Sequence, residues 1–214
     1  MWQARRCIDQ FVRALPLLWL CGLSLLVGIL VCTPVARAAD KTFLAGKLLI
    51  ASPETKDPRF AESVIYMVKH DATGAMGLVI NKPVATAPID ELLKGFGLKE
   101  KNSKREIVVH YGGPVGTRQG FVLHSDEIVM ENSSKFANGI ALTADAKMIE
   151  AIAGGKGPRQ ALFMLGYAGW APHQLEYELN LQSWIVIPGD RALIFGNNAD
   201  KKWRQAIDKQ QIPL

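Results

Sequence analysis

Asp57 and Arg59 stand two positions apart in a polar loop, and Asn81 closes an apolar run further along the chain. A guanidinium offers paired N–H donors in a fork that fits a carboxylate or another small anion. Flanked by a carboxylate and an amide, Arg59 could therefore build a small anion-binding cluster. The same residues have a structural reading, which is favoured: an Asp57–Arg59 salt bridge with Asn81 capping the turn before Pro83, since ion-pair networks imitate sites. A second group is Tyr167 and Trp170, followed by Gln174 and Glu178, which share a helix face at i, i+4. These could wall an aromatic pocket with an amide and a carboxylate on its rim. Packing of Tyr167 and Trp170 against that helix, with Leu175 and Leu179 facing the core, is the favoured reading there.

Other chemistry is poorly supported. His70, His110, His124 and His173 lie at no metal-motif spacing. His110 and His124 close consecutive strands and could approach one another, but a metal site needs several convergent ligands. Gly154-Gly155-Lys156-Gly157-Pro158 follows a helix pattern and lacks a Ser or Thr after the lysine, so it reads as a helix stop and not a phosphate loop. Gly95-Phe96-Gly97 lacks the third glycine of a dinucleotide fingerprint. There is no Gly-x-Ser-x-Gly elbow. His124 and Ser125 are neighbours that point to opposite faces of a continuous strand and cannot act as a base and nucleophile. No catalytic residue, metal or cofactor is expected from these patterns, and the balance leans away from an enzyme.

The elements that must position the candidates are legible. Leu44 to Ala51 reads as a first strand. Val64 to His70 and Ala75 to Asn81 form a hairpin around Asp71-Ala72-Thr73-Gly74. If His70 pairs with Ala75 throughout in register, Val64, Tyr66, Val68 and Val79 share one face, and Ile65, Met67, Leu78 and Ile80 the other. Both faces are apolar, so the hairpin is expected to be covered on both sides. His70 and Asn81 then lie roughly 20 Å apart, with Asn81 beside the Asp57–Phe60 loop. Further expectations are a helix from Pro88 to Lys94 ending at Gly95, strands Ile107–Tyr111 and Phe121–His124, and a helix to Ala153 capped by Thr143. After these come a strand Ala161–Tyr167, a helix Gln174–Asn180, a strand Trp184–Ile187 and a terminal helix Asp200–Lys209.

The chain has 214 residues, three cysteines and a net charge of +5. Arg5, Arg6 and Arg13 precede an uncharged stretch from Ala14 to Ala36, then Ala36-Arg37-Ala38 presents a small-x-small cleavage pattern. Residues 1–38 read as a secretory signal peptide, leaving a periplasmic domain of residues 39–214. The alternative is an uncleaved inner-membrane anchor through residues 14–36, whose length is close to the roughly 20 residues that span a bilayer. Removing residues 1–38 takes away four Arg and one Asp, leaving 21 basic and 19 acidic residues, a net charge of +2. Cys7, Cys21 and Cys32 leave with it, which excludes disulfides and thiol chemistry from the remaining domain. The basic balance thus belongs largely to the leader, and no nucleic-acid partner is expected.

Ser52-Pro53, Asp57-Pro58-Arg59-Phe60, Ser63 to Tyr66, and Gly74 to Pro83 are followed in order by Tyr111 to Val115, Gly120 to His124, Gly139 to Thr143, Leu165 to Trp170 and Gln174-Leu175-Glu176. Across residues 44 to 207 these blocks resemble the YqgE/AlgH family of bacterial proteins. The resemblance implies an α+β fold whose bifurcated mixed sheet partly closes into a small barrel surrounded by helices. It implies no catalytic residues or cofactor; one branch carries the name of a transcriptional regulator of alginate synthesis. Members of that family mostly begin near the first strand, and Ala171-Pro172-His173 replaces a more usual glycine-rich segment.

The expected function is that of an exported binding or interaction module for a small ligand or a protein, with the membrane as a partner only if the leader is retained. The alternatives are a regulator of the transcriptional type, or an enzyme using the Asp57, Arg59 and Asn81 end of the sheet.

Overall fold

Strand β9 (Ala161–Trp170) organises the molecule, because three other strands pair with it. The computed structural model describes residues 43–210. The leader, its alternative as an anchor, and the three cysteines lie outside the described residues. The other strands are β1 (Lys47–Ala51), β2 (Val64–Asp71), β3 (Gly74–Val79), β4 (Pro83–Pro88), β5 (Glu106–Tyr111), β6 (Val115–Ser125), β7 (Ser134–Phe136), β8 (Ile140–Thr143) and β10 (Trp184–Pro188). The helices are α1 (Ile89–Gly95), α2 (Lys147–Ala153), α3 (Gln174–Asn180), α4 (Arg191–Phe195) and α5 (Ala199–Gln210). Among the described residues no helix is long and apolar enough to cross a membrane.

The main path runs β10-β1-β2-β3-β9-β6-β8-β7, with β5 and then β4 branching from β9. On one edge of β9, residues 168–170 pair with β3, while Phe163, Met164 and Leu165 pair in parallel with β5. The sheet therefore forks, and glycines make the fork. Gly112 donates to the Leu165 carbonyl at 2.8 Å and accepts from Val79 N at 2.9 Å, so it bridges the two branches. A Cβ on Gly112 would lie 2.2 Å from the Gly166 carbonyl oxygen, and Gly166 itself sits at φ +75°. Only glycine tolerates both the approach and the left-handed backbone.

The sheet also curls into a half-barrel. Tyr66 of β2 and Phe136 of β7 are five strands apart along the path, about 24 Å in a flat sheet. Their rings are nevertheless edge to face at 5.5 Å. The concave side is filled by Leu48, Tyr66, Leu123, Ile140 and Met164 and closed by α4 and α5. A second cluster, including Ile65, Met67, Val79, Trp170 and Trp184, lies on the other face of the hairpin under α3. A third packs α1 and α2 against β5, β6 and β9. The α+β architecture with a bifurcated, partly closed sheet is thus present, with few helices around it.

The hairpin turn is as expected, with His70 opposite Ala75, but the register shifts between Met67 and Lys69. This β-bulge at Val68 inserts one residue, so Tyr66 faces Leu78 and Ile65 faces Val79. A one-residue slip exchanges faces. Leu78 and Ile80 therefore join Tyr66 and Val64, while Val79 joins Ile65 and Met67, reversing the expected assignment of the β3 residues.

Several boundaries also differ. β1 begins at Lys47, because Gly46 turns at φ +84°. α1 ends one residue later than expected, with Gly97 in the left-handed region and Leu98 N donating to the Leu93 carbonyl at 2.8 Å, a Schellman closure. Thr143 does not cap α2; it is a buried β8 residue, and Asp145 Oδ1 accepts from Lys147 N at 2.9 Å instead. β4, β7, β8 and α4 have no counterpart in the expected elements. β4 is an exposed edge strand with prolines at its ends, where a missing N–H is tolerated.

Candidate functional site

The Asp57–Phe60 loop links β1 to β2, and its start is pinned to the chain before β10 by Ser52 N donating to the Ser183 carbonyl at 3.0 Å. Asp57 Oδ1 accepts from the Arg59 backbone N–H at 2.9 Å, while Arg59 Nη2 donates to Asp57 Oδ2 at 2.7 Å. The hydrogen bond from Arg59 holds the Asp57 carboxyl below the usual carboxylate range. The pair is exposed, so it contributes little to stability. The Arg59 guanidinium lies 5.8 Å from the Phe60 ring centroid, and Phe60 packs edge to face on Trp184 at 5.6 Å.

Opposite this loop, β9 ends at Trp170 and the chain turns through His173, at φ +64°, into α3. Gln174 Oε1 accepts from Ala171 N at 3.0 Å, and Gln174 Nε2 donates to Glu178 Oε1 at 2.9 Å. The i, i+4 spacing brings these two side chains together while Leu175 points into the second core cluster. Glu178 Oε2 accepts from the indole N–H of both Trp170, at 2.8 Å, and Trp184, at 2.7 Å. The carboxylate is thus fixed by three donors. Together the loop and the β9–α3 corner enclose a cleft of about 700 Å³ with Asp57, Arg59, Phe60, Trp170, Gln174 and Trp184 among its walls. This falls in the size range of small-ligand pockets.

Two groups that look separate in the sequence thus meet: Asp57 and Arg59 share a cleft with Trp170 and Gln174. Asn81 and Tyr167 do not line it. Asn81 is buried; its Oδ1 accepts from Val64 N at 2.8 Å and its Nδ2 donates to the Glu62 carbonyl at 2.9 Å. It lines a shallower depression on the other side of Arg59, with Lys82 and Tyr111. Tyr167 packs on Phe121 at 6.1 Å, within the concave core. It is three residues from Trp170, and an odd separation along a strand places two side chains on opposite faces. That rule alone could have separated them. Trp184 was missed, although it lies only six residues beyond Glu178 and the turn after α3, closed by Ser183 N donating to the Glu178 carbonyl at 3.0 Å, returns it to that carboxylate.

The histidines do not converge. His110 Nδ1 lies 3.3 Å from the Phe163 carbonyl. His124 lies between the Ser125 carbonyl, at 2.9 Å from Nδ1, and the Thr143 hydroxyl, at 2.8 Å from Nε2. His70 Nε2 lies 3.4 Å from Glu176. Among the described residues no cluster of three or more His, Cys, Asp or Glu is placed to hold a metal.

A forked, half-barrel sheet with few helices defines a class of mixed α+β proteins to which solved structures superpose. The AlgH protein of Pseudomonas aeruginosa superposes with a TM-score of 0.69 at 34% identity, covering 83% of this chain and 94% of that one. A Corynebacterium diphtheriae protein superposes with a TM-score of 0.64 at 21% identity, covering 79% and 88%, and shows the fold alone. Residues 48–214 match the AlgH-like family, DUF179, and the chain belongs to that family. A UPF0301 protein of Methylococcus capsulatus is 44% identical over 79% of this chain and 93% of its own. A UPF0301 protein of Afipia carboxidovorans is 41% identical over 84% and 89%.

Proposed function

We propose that this protein is a non-enzymatic binding module that takes a small organic ligand in the cleft between the Asp57–Phe60 loop and the β9–α3 corner. The observation that carries the reading is the convergence of the Asp57–Arg59 pair with Trp170 and Gln174 on one concave site. Aromatic walls suit a flat apolar body, and Arg59 and Gln174 offer donors that orient its polar end. Glu178 already accepts three hydrogen bonds, so it serves to hold Trp170, Trp184 and Gln174 in place. The uncharged stretch and the Ala36-Arg37-Ala38 pattern support export and release at Ala39. In that compartment the module has no access to chromosomal DNA, and the near-neutral charge after the leader supports a ligand other than nucleic acid.

Ligand-induced thermal stabilisation across metabolites, read together with tryptophan emission, tests the site, since a ligand selective for the folded state raises apparent stability. A metabolite that raises the Tm, quenches emission and loses affinity in Arg59→Ala supports it. Absence of any response across metabolites, with capture of a protein partner by the same cleft, turns the reading to a protein-interaction module. The intact mass of the protein recovered from fractionated cells tests export: a product starting at Ala39 supports it, and a full-length soluble cytoplasmic chain refutes it.

A further inference from the structure

A larger cleft, of about 890 Å³, lies elsewhere, between the β4–β5 branch, the start of β9 and the α4–α5 junction. Its charged lining is one-sided: Arg105, Arg159 and Lys202 against the single acid Glu106. Among the described residues none of these three cations has a carboxylate oxygen within 4.0 Å, although four other Lys or Arg side chains do. Lys202 is the notable member, because it is only 2% exposed. Its ammonium donates to the carbonyl of Ile194 at 2.5 Å and to that of Ile80 at 3.4 Å. An ammonium carries three N–H donors, so one remains. Burial pushes Lys202 down to about 8, which still leaves it charged at neutral pH. Neutral carbonyls solvate such a charge but do not balance it, and buried charges are otherwise paired. Ile107, Leu162 and Phe195 form an apolar stretch of the wall, beside the polar side chains of Thr86, His110, Gln160 and Asn197.

We propose that this cleft is a second binding site, for a small organic carboxylate with an apolar body, its carboxylate taken by Lys202 with Arg159 and Arg105 at the rim. The apolar stretch of wall accepts the body of the ligand, and its carboxylate supplies the partner that Lys202 lacks among the described residues. The cleft volume fits a molecule of this size. The site is separate from the cleft at Trp170, so either stands without the other.

The test uses the purified full-length chain with 4-butylbenzoate, its neutral analogue 4-butylbenzyl alcohol, and inorganic phosphate, read by thermal shift and calorimetry. A saturable rise in Tm with 4-butylbenzoate, at least tenfold weaker with the alcohol and with phosphate, is expected. Lys202→Met is expected to lose affinity at least tenfold. Because that variant leaves two carbonyls without a donor and can unfold, Thr86→Trp serves beside it, placing a bulky ring at an exposed position on the cleft wall. It should reduce binding to the same extent while retaining the Tm of the unliganded chain. Equal binding of the alcohol or of phosphate, binding unaffected by Thr86→Trp, or no saturable response to 4-butylbenzoate would each overturn the assignment.

Discussion

Trp170 and Trp184 stand edge to face with 6.0 Å between ring centroids, and both donate to the same oxygen of Glu178. They belong to β9 and β10, which lie four strands apart along the sheet path. Glu178, delivered from α3, is what ties the two ends together. Glu178→Ala is therefore expected to destabilise by about 2–3 kcal/mol, since it leaves two indole donors without their charged acceptor. Glu178→Gln keeps an acceptor and should lose about 1 kcal/mol. Denaturant unfolding followed by tryptophan emission checks this, and equal stability of the Ala variant and the parent would contradict it.

Asn81 and Arg59 should separate stability from binding. Asn81→Ala removes the partners of the Val64 N–H and the Glu62 carbonyl and should cost about 2 kcal/mol. Arg59→Ala removes an exposed ion pair and a contact with the Phe60 ring and should cost much less than Asn81→Ala. Chemical denaturation of both variants decides; the opposite order would mean that the loop, not the amide, holds this end of the hairpin.

The fork predicts an intolerant pair of glycines. A Cβ at Gly166 would meet the Gly113 carbonyl oxygen at 2.5 Å, and one at Gly113 would meet Tyr167 C at 2.1 Å, with both residues at positive φ. Alanine at either position should cost about 3 kcal/mol or more. Gly95, at the end of α1 with open space around it, is the control. Gly95→Ala should stabilise by about 0.5–1 kcal/mol. Circular-dichroism melting of the three variants distinguishes these outcomes.

Acid should weaken the fold through its buried imidazoles. Burial pushes both His110 and His124 below the ordinary value of 6.5. The unfolded chain then binds protons that the folded chain refuses, so stability is lost as pH falls below 6.5 toward the folded values. A Tm profile from pH 7.5 to pH 5 should show this decline, and it should be shallower in His124→Asn. An unchanged slope in both His124→Asn and His110→Asn would refute the assignment.

Lys202 produces the opposite end of the profile. Its folded value of about 8 lies below the ordinary 10.5, so the unfolded chain holds the proton longer as pH rises. Stability from this group therefore increases between pH 8 and 10.5, by up to about 3 kcal/mol. Burial raises the Tyr66 phenol and opposes this trend once ordinary tyrosines ionise near 10, so the measurement belongs between pH 8 and 10. The rise in denaturation midpoint should shrink in Lys202→Met, the remainder coming from Lys82, whose ammonium burial also pushes down; a rise of the same size in the variant would assign it to other groups.

Where side-chain period and turn chemistry spoke strongly, the sequence and the structure agree. The Asp71-Ala72-Thr73-Gly74 turn, the ends of α3 and the Gly154-Gly155 stop were legible because each depends on neighbouring residues. The bulge at Val68 was not, since inserting one residue into an apolar run leaves its composition unchanged. β4 reads as turn and helix start because Pro83 and Pro88 hide a strand that needs only one paired edge. α4 is five residues long, too short for a period to show.

By itself the sequence determined the family, the apolar character of both hairpin faces, and the placement of all three cysteines and of three of the five net charges in residues 1–38. These follow from local residue types and from order along the chain. The tertiary structure alone decided which side chains share a space. It brings Trp170 and Trp184, from strands four apart along the sheet path, edge to face, and Arg59 to the same cleft while Asn81 stays behind it. It also buries Lys202 without a carboxylate among the described residues, because one of the two carbonyls that hold it comes from the distant Ile80 and the other from the nearby Ile194. Convergence of that kind depends on long-range packing, which spacing along the chain does not encode.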